Sequence, residues 1–384
     1  MSTLDLSRKR EATDRTEKPR KRRSRHRKQT KARNDDEVET RSSPPPDSAE
    51  RRRTARLNHF QNSQVFSYSS SSSKWSQNSL ATSSESPTSS PTSLRLLTWN
   101  TFSSSPEHRQ SQALAILSHL AESRADIVSL QEVSKPFESL LRRESWSQAG
   151  WVMTSLDEYW RAAGKDGQGK GKKEGKREGV LILVRRELWS EESEIGFVKL
   201  KRGNNEQAKA LVVLRILRDG SEILRLATSH FSSLPQNSRL RQSQYSVALS
   251  LLNTSPRASH SILLGDFNAS SSTELDPFSS SLRDVGPQPT KAQLSQLFSN
   301  AERLDFKFRH RPTFGTLYPL VSLTSTKPRK PRRIDRIYVS KNTRHSQYRE
   351  IGGEAIEGEK DKLGKGGKSY PSDHLAVGIK IEIG

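Results

Sequence analysis

The chain has 384 residues, with 65 Lys or Arg against 43 Asp or Glu and a formal net charge of +22, which favours a polyanionic partner, nucleic acid first and an anionic membrane surface second. The absence of cysteine excludes disulfides, thiolate metal sites and cysteine catalysis. No apolar run approaches the roughly 20 residues needed to span a bilayer, and hydrophobic residues are only 31 %, low for a chain that is globular throughout.

Residues 1–57 hold 19 Lys or Arg and 10 Asp or Glu with few apolar side chains, so this stretch cannot bury enough surface to offset ordering entropy. It is expected to be a basic disordered tail. Its densest part, Lys18 to Lys31, reads as a nuclear-localisation or nucleic-acid-binding segment, with a merely solvated tail as the plainer alternative. A nuclear destination is therefore expected, with the cytoplasm as the alternative. The opening residues lack the apolar core of a secretory signal. Asp5, Glu11, Asp14 and Glu17 are unlike an acid-poor transit peptide. Residues 58–93 are Ser-rich, unbroken from Ser69 to Ser73, with Pro87 and Pro91 near the end, and predict a flexible linker.

Residues 94–384 carry the domain. Leu94, Leu96 and Leu97 lead into Thr98-Trp99-Asn100 as a strand ending on a polar residue. His108 to Arg124 predicts a helix with Leu114, Leu117 and Leu120 on one face. Ala125 to Leu130 predicts a second strand, with Gln131-Glu132 at its end. Phe137 to Trp146 predicts a short helix, with Pro136 suited to its start. Arg161 to Glu178 is a Gly- and Lys-rich loop. Gly179 to Val184, Ala210 to Leu217 and Glu222 to Thr228 predict strands. The last two pair across Asp219-Gly220, and the second runs out at Ser229-His230. Arg239 to Leu252 predicts a helix with Leu240, Gln244, Val247 and Leu251 on one face. The stretch Ser261 to Ala269, SILLGDFNA, is an apolar strand stopped by Gly265, which sets Asp266 and Asn268 in the turn beyond it. Pro312 to Tyr318 is a loop, and Arg333 to Ser340 a strand containing Asp335. A second Gly/Lys-rich loop, Glu357 to Gly367, precedes Ser372-Asp373-His374, and Leu375 to Ile383 alternates as a half-buried strand does. Interleaved strands and helices with few clean crossovers imply mixed sheets with helices outside them.

The polar strand ends are Asn100, Glu132, His230, Asp266, Asn268, Asp335, Asp373 and His374. Singly, each has a bland explanation as a turn, a cap or a surface charge. Asp335, for one, lies between Arg333 and Arg336 and could pair with either. Eight such residues closing six apolar runs are harder to dismiss. An oxygen set such as Asn100, Glu132 and Asp373 suits a hard divalent cation, Mg²⁺ or in its place Mn²⁺, whereas zinc is disfavoured. The histidines can donate to phosphate oxygens, and Asp266, polarised by Asn268, could orient or deprotonate a water. Together they describe metal-assisted hydrolysis of a phosphoester.

TWN at 98–100, LQEV at 130–133, HF at 230–231, GDFN at 265–268, RIDRIYV at 333–339 and SDH at 372–374 resemble, in that order, the endonuclease/exonuclease/phosphatase superfamily. The resemblance implies a four-layered α/β sandwich, two mixed sheets flanked by helices, with one site at the rim. It implies Glu132 as principal Mg²⁺ ligand, with Asn100 and Asp373 beside the metal. It makes Asp266 the group that orients water and Asn268 its support, puts His374 and His230 on the phosphate, and gives Asp335 to His374. Within the superfamily the motifs look most like the 5′-tyrosyl-DNA phosphodiesterases. That branch usually has Asp two residues after the TWN asparagine and a later Trp-Asp pair, where this chain has Phe102 and Phe314-Gly315-Thr316. DNA ends are thus the first expectation for the substrate, DNA ahead of RNA. The alternatives are a deadenylase-type RNA exonuclease or another phosphoesterase of the superfamily, and a degenerate module that binds nucleic acid without cleaving it.

Overall fold

The computed structural model describes residues 61–77, 91–102, 109–164, 177–203, 207–254, 258–269, 271–286, 313–314, 317, 332–362 and 364–384. The basic stretch 1–57 lies outside them, as do 165–176 of the first Gly/Lys-rich loop and most of the loop 312–318.

In chain order the strands are β1 (Gln61–Asn62), β2 (Phe66–Ser69), β3 (Lys74–Gln77), β4 (Ser93–Asn100), β5 (Ile127–Ser134), β6 (Trp151–Met153), β7 (Glu178–Arg185) and β8 (Glu194–Leu200). There follow β9 (Lys209–Arg218), β10 (Ser221–His230), β11 (His260–Asp266), β12 (Leu282–Asp284), β13 (Asp335–Ser340), β14 (His345–Ile351) and β15 (Ala376–Glu382). The helices are α1 (Arg109–Glu122), α2 (Lys135–Leu141), α3 (Ser145–Gly150), α4 (Leu156–Ala163) and α5 (Ser238–Leu252). One sheet has seven strands in the order β1-β8-β9-β10-β11-β13-β12, and the other has eight, β14-β15-β4-β5-β7-β6-β2-β3.

Each sheet contains one parallel pair, β4 with β5 and β10 with β11, while its other pairings are antiparallel. A parallel pair needs a crossover; α1 supplies the first and α5 the second. Leu96, Ile127 and Ile182 of one sheet share a buried cluster with Leu214, Leu226, Ile262 and Ile337 of the other. On the outer faces, Leu97, Val128 and Leu130 pack with Ile116, Leu117 and Leu120 of α1, and Leu211, Leu263 and Tyr338 pack with Tyr245, Ala248 and Leu252 of α5. The result is the expected layering of helix, sheet, sheet and helix.

Three details depart from the sequence reading. The Ser-rich stretch 58–93 is not simply a linker, because Gln61–Gln77 supplies β1 to one sheet and β2 and β3 to the other. Its Phe66 and Trp75 sit under the Arg142 guanidinium, 5.2 and 5.4 Å from it, so two aromatic rings and a cation outweigh the serine composition. Leu114 lies on the outer face of α1 and is 48 % exposed; Gln112, Ala113, Ile116, Leu117 and Leu120 form the buried face instead. In α5 the buried face is Arg241, Gln244, Tyr245, Ala248, Leu251 and Leu252, because the Arg241 guanidinium is neutralised inside the fold by Glu274 at 2.8 Å.

Candidate active site

Asn100 ends β4 and Glu132 lies near the end of β5, while His230 ends β10 and Asp266 ends β11. Both parallel pairs therefore deliver their carboxyl ends to the same rim, the place where open sheets gather ligand-binding groups. Strand β13 runs antiparallel to β11 and begins with Asp335 directly opposite Asp266. Strand β15 runs antiparallel to β4, so Asp373 and His374, just before it, arrive beside Asn100.

Two backbone devices aim the carboxylates. Leu130 pairs with Leu181 and Val133 with Gly179, so two residues of β5 oppose one of β7. This β-bulge gives Glu132 a φ of +55°. Leu130 and Val133 both point into the helix-facing core. The extra residue lets Gln131 and Glu132 leave that core together, which a regular strand forbids. In GDFN, Gly265 has φ +134°, and a Cβ there would lie 2.3 Å from the Ser229 carbonyl oxygen of β10. Only glycine permits that close approach of the parallel strands. Asn268 takes φ +50°, a conformation asparagine tolerates.

Asn100 Nδ2 donates to Glu132 Oε1 at 2.9 Å and to Asp266 Oδ2 at 3.0 Å, while Asn100 Oδ1 accepts from the Phe102 N–H. His230 Nε2 lies 3.5 Å from Glu132 Oε1 and 3.8 Å from Asp266 Oδ2. Asp266 Oδ1 accepts the Asn268 N–H at 2.8 Å, and Asn268 Nδ2 donates to the Phe231 carbonyl. Across the rim, His374 Nδ1 meets Asp335 Oδ2 at 2.8 Å, with Asp373 Oδ1 3.7 Å from His374 Nε2. The alternative partners of Asp335 are accounted for: Arg333 and Arg336 both bind Asp284.

All eight residues drawn from the sequence thus lie at one rim. Their grouping is finer than expected. Glu132, His230 and Asp266 bring one ligand atom each within 4.8 Å of one another, and so do Asp266, Asp335 and His374. Asn100 turns its amide N–H to the carboxylates and ties them together. Asp373 is in neither group and stands beside His374.

Behind the rim, a buried polar floor joins the sheets. Ser129 and Thr228 hydroxyls meet at 2.6 Å, and Gln131 Nε2 donates to Ser129 at 2.7 Å and to Thr98 at 3.0 Å. Ser372 Oγ donates to the Asn100 carbonyl at 2.7 Å and accepts the His374 N–H, latching the SDH turn to TWN. Thr313 Oγ1 accepts the Ile334 and Asp335 N–H groups, and the Phe314 ring lies 4.8 Å from that of His374. A buried, satisfied network of this kind fixes orientation.

The electrostatics divide the groups by task. Burial, then the Glu178 charge, push the Glu132 carboxyl up to about 8 against the Asn100 hydrogen bond. Burial and the Asp335 charge push Asp266 up to about 6, opposed by His374 and by hydrogen bonds from Asn100 and Asn268. Burial, with the Lys209 and His374 charges, holds the His230 imidazole well below its usual range, so it is neutral near pH 7. Burial would also press His374 down, but the Asp335 charge and hydrogen bond, helped by Asp373 and Asp266, overcome it and push His374 up to about 10.

This donor set fits a divalent cation. Two carboxylates and one neutral imidazole converge without a matching positive charge among them, and oxygen-rich sites suit hard cations that keep much of their water. Because Glu132 must lose its proton to serve as a ligand, cation affinity should rise as pH climbs through about 8 and level off above it. Calorimetric titration of Mn²⁺ between pH 6 and 9 checks this; a flat profile would contradict it.

Sequence reading did not single out Glu178 or Lys209. With Glu132, Tyr159, His230, Ser233 and Leu234 they line a cavity of about 320 Å³ at the rim. Lys209 is 7 % exposed, and its Nζ donates to the Phe231 carbonyl at 3.1 Å. Both sit at strand starts, where a charged residue ordinarily marks a solvated edge, so their position carried no signal. The floor residues Thr98, Ser129, Gln131 and Thr228 did leave one, as polar positions just before polar strand ends.

The model of the Endonuclease/Exonuclease/phosphatase family matches residues 97–374, and the chain belongs to that family. Its members hydrolyse phosphoester bonds. No curated protein matches the sequence. Among solved structures, TDP2 from D. rerio complexed with a single-strand DNA product is similar at TM-score 0.52 and 19 % identity, over 76 % of this chain and all of that one. TDP2 from Caenorhabditis elegans is similar at TM-score 0.52 and 16 % identity, over 76 % of this chain and 74 % of that one. An endonuclease/exonuclease/phosphatase family protein from Bacteroides thetaiotaomicron is similar at TM-score 0.52 and 17 % identity, over 77 % of this chain and all of that one. At these identities the likeness concerns the fold.

Proposed function

We propose that the protein is a Mg²⁺-dependent phosphodiesterase acting on nucleic-acid ends, DNA before RNA, with 5′-tyrosyl-DNA as its first candidate substrate. The observation that carries this is the convergence at one rim of Glu132, His230 and Asp266 with the hydrogen-bonded pair Asp335 and His374, Asp266 belonging to both groups. The net charge of +22 and the similarity to a TDP2 complexed with a DNA product support the choice of nucleic acid. No helix among the described residues is long and apolar enough to cross a membrane. The basic segment Lys18 to Lys31 supports a nuclear destination and repair of DNA ends as the setting.

In this reading Glu132 would hold the cation, with Asp266 and His230 beside it. When bound, the cation supplies charge neutralisation at the phosphate. Asn100 keeps the Glu132 and Asp266 carboxylates at fixed separation. Asp266, with one oxygen anchored by the Asn268 N–H, orients a water and accepts its proton as the water oxygen attacks phosphorus and the P–O bond to the tyrosyl oxygen breaks, the phenolate leaving and taking a proton from solvent. His374 points the nitrogen not bound to Asp335 toward the site and donates to a phosphate oxygen. His230, neutral, donates a second hydrogen bond. Asp335 holds the proton on His374 Nδ1, so the imidazolium persists through the reaction.

The test is a substrate panel with the purified chain: 5′-tyrosyl single-stranded DNA, abasic duplex, poly(A) RNA and phospholipid, each in Mg²⁺ or EDTA. Mg²⁺-dependent release of tyrosine is expected. Preference for poly(A) would move the chain to the deadenylase-type reading. Binding without cleavage of any member would make it a non-catalytic module.

A further inference from the structure

We propose that Leu234 is the apolar wall against which the nucleobase adjoining the scissile phosphate rests, inside the cavity beside Glu132 and His230; this builds on the nucleic-acid reading above.

The cavity lies at the reacting centre and to one side of it. Glu132 and His230 line it, whereas Asp266, Asp335 and His374 do not. A group bonded to a phosphate held at the rim would enter it from that side. Leu234 stands in this cavity with 54 % of its surface exposed and is one of two exposed large hydrophobic residues among those described. An exposed leucine is ordinary in itself. This one is held at φ +72° immediately before Pro235, a backbone state that costs leucine strain and glycine none.

The strain is enforced from below. Arg241, fully buried, donates through Nη1 to the Ser232 carbonyl at 3.0 Å and to the Leu234 carbonyl at 2.7 Å. The Asn237 N–H also reaches the Leu234 carbonyl, Asn237 Nδ2 donates to the Ser233 carbonyl, and Gln244 Oε1 accepts the Ser232 N–H. A strained residue kept in place by a buried arginine and two amides, with its side chain left bare, is pre-organised for contact rather than for packing. The remaining lining identifies the occupant. Gln207, Ser233 and Lys209 set donors and acceptors around an apolar face. A nucleobase presents a flat π-face with a polar edge and matches both. A tyrosyl ring has no polar edge beyond its ester oxygen.

The experiment uses the full chain and three single-stranded DNA probes. One carries a 5′-tyrosyl ester on a thymidine. The second carries the same ester on an abasic residue. The third has the thymidine but a methyl ester in place of the tyrosyl. Wild type should cleave the first roughly tenfold better in kcat/KM than the second, chiefly through KM, as sequence-tolerant base contacts allow. In Leu234→Gly and Leu234→Asn that ratio should fall below about threefold. The Tm of Leu234→Gly should be no lower than wild type, since glycine accepts the φ +72°, ψ +135° backbone that strains leucine. A ratio near one in wild type, or an undiminished ratio in both variants, overturns the proposal. So does a Leu234 dependence that disappears with the methyl ester rather than with the abasic residue, which would assign the cavity to the tyrosyl ring. Cleavage of the probes without base dependence removes this inference alone, whereas no cleavage of any removes the DNA-end reading beneath it.

Discussion

Asp266→Asn is expected to lower kcat by about a hundredfold to a thousandfold while leaving the fold intact, the size of loss that follows removal of a charged group aimed at the reacting atoms. The substitution is isosteric. The Asn268 N–H can still donate to the retained oxygen, so the turn after β11 keeps its anchor. What disappears is the negative charge and the ability to take a proton, and the Asn100 amide loses its acceptor if the new NH₂ faces it. With Mg²⁺ saturating at every pH, so that Glu132 protonation does not limit the rate, the wild-type enzyme should lose activity as pH falls through about 6, because protonated Asp266 can no longer accept a proton from water. That acid limb should be missing from the residual activity of the variant. Steady-state rates from pH 5 to 9, with a thermal melt of each protein, decide the matter. Near-wild-type turnover, or an unchanged acid limb, would show that Asp266 neither orients water nor accepts its proton.

Much of this site was legible because its residues sit where apolar periodicity stops. Asn100, His230 and Asp266 end apolar runs that are plain in the sequence, and the two parallel pairs bring those ends together. Glu132 could be named, but the device that aims it could not. A β-bulge depends on one strand having a residue more than its partner, and the partner β7 lies some 45 positions downstream beyond a Gly/Lys-rich loop. The strands β1 to β3 were lost to composition, since serine counts hide that Phe66 and Trp75 bracket Arg142. The buried face of α5 was misread by one position because a helical wheel treats Arg241 as polar. Its pairing with Glu274, 33 residues away in a short 3₁₀ turn, makes it a core residue. The choice between Arg333, Arg336 and His374 as partner of Asp335 was open in the sequence. It was decided by Asp284, which no motif marks and which occupies both arginines.

That pairing carries the second large effect. Asp335→Asn should cut kcat by about a hundredfold or more, and adding His374→Ala should cost little beyond it, because residues that act as a unit are not additive. His374 Nδ1 and Asp335 Oδ2 are 2.8 Å apart and both side chains are buried, so this carboxylate, ahead of Asp373 and Asp266, keeps the ring charged and its far nitrogen a donor. An asparagine offers hydrogen bonding without charge. The imidazole would then revert toward the neutral form that burial prefers, and its hold on a phosphate oxygen would weaken. Stability gives an independent reading with a definite sign. The His374 pKa is raised on folding, so its contribution is complete below the unfolded value near 6.5 and is lost as pH rises through about 10. Asp335→Asn should therefore depress Tm most at pH 6 and progressively less toward pH 10.5, where wild-type His374 is itself neutral. Four proteins measured together, wild type, both single variants and the double, give the coupling in kcat and in Tm from the same preparations. Additive losses in kcat, or a Tm difference that does not shrink at high pH, would reduce Asp335 to a buried neighbour of His374 and leave the orientation of that histidine to Phe314 and the SDH turn.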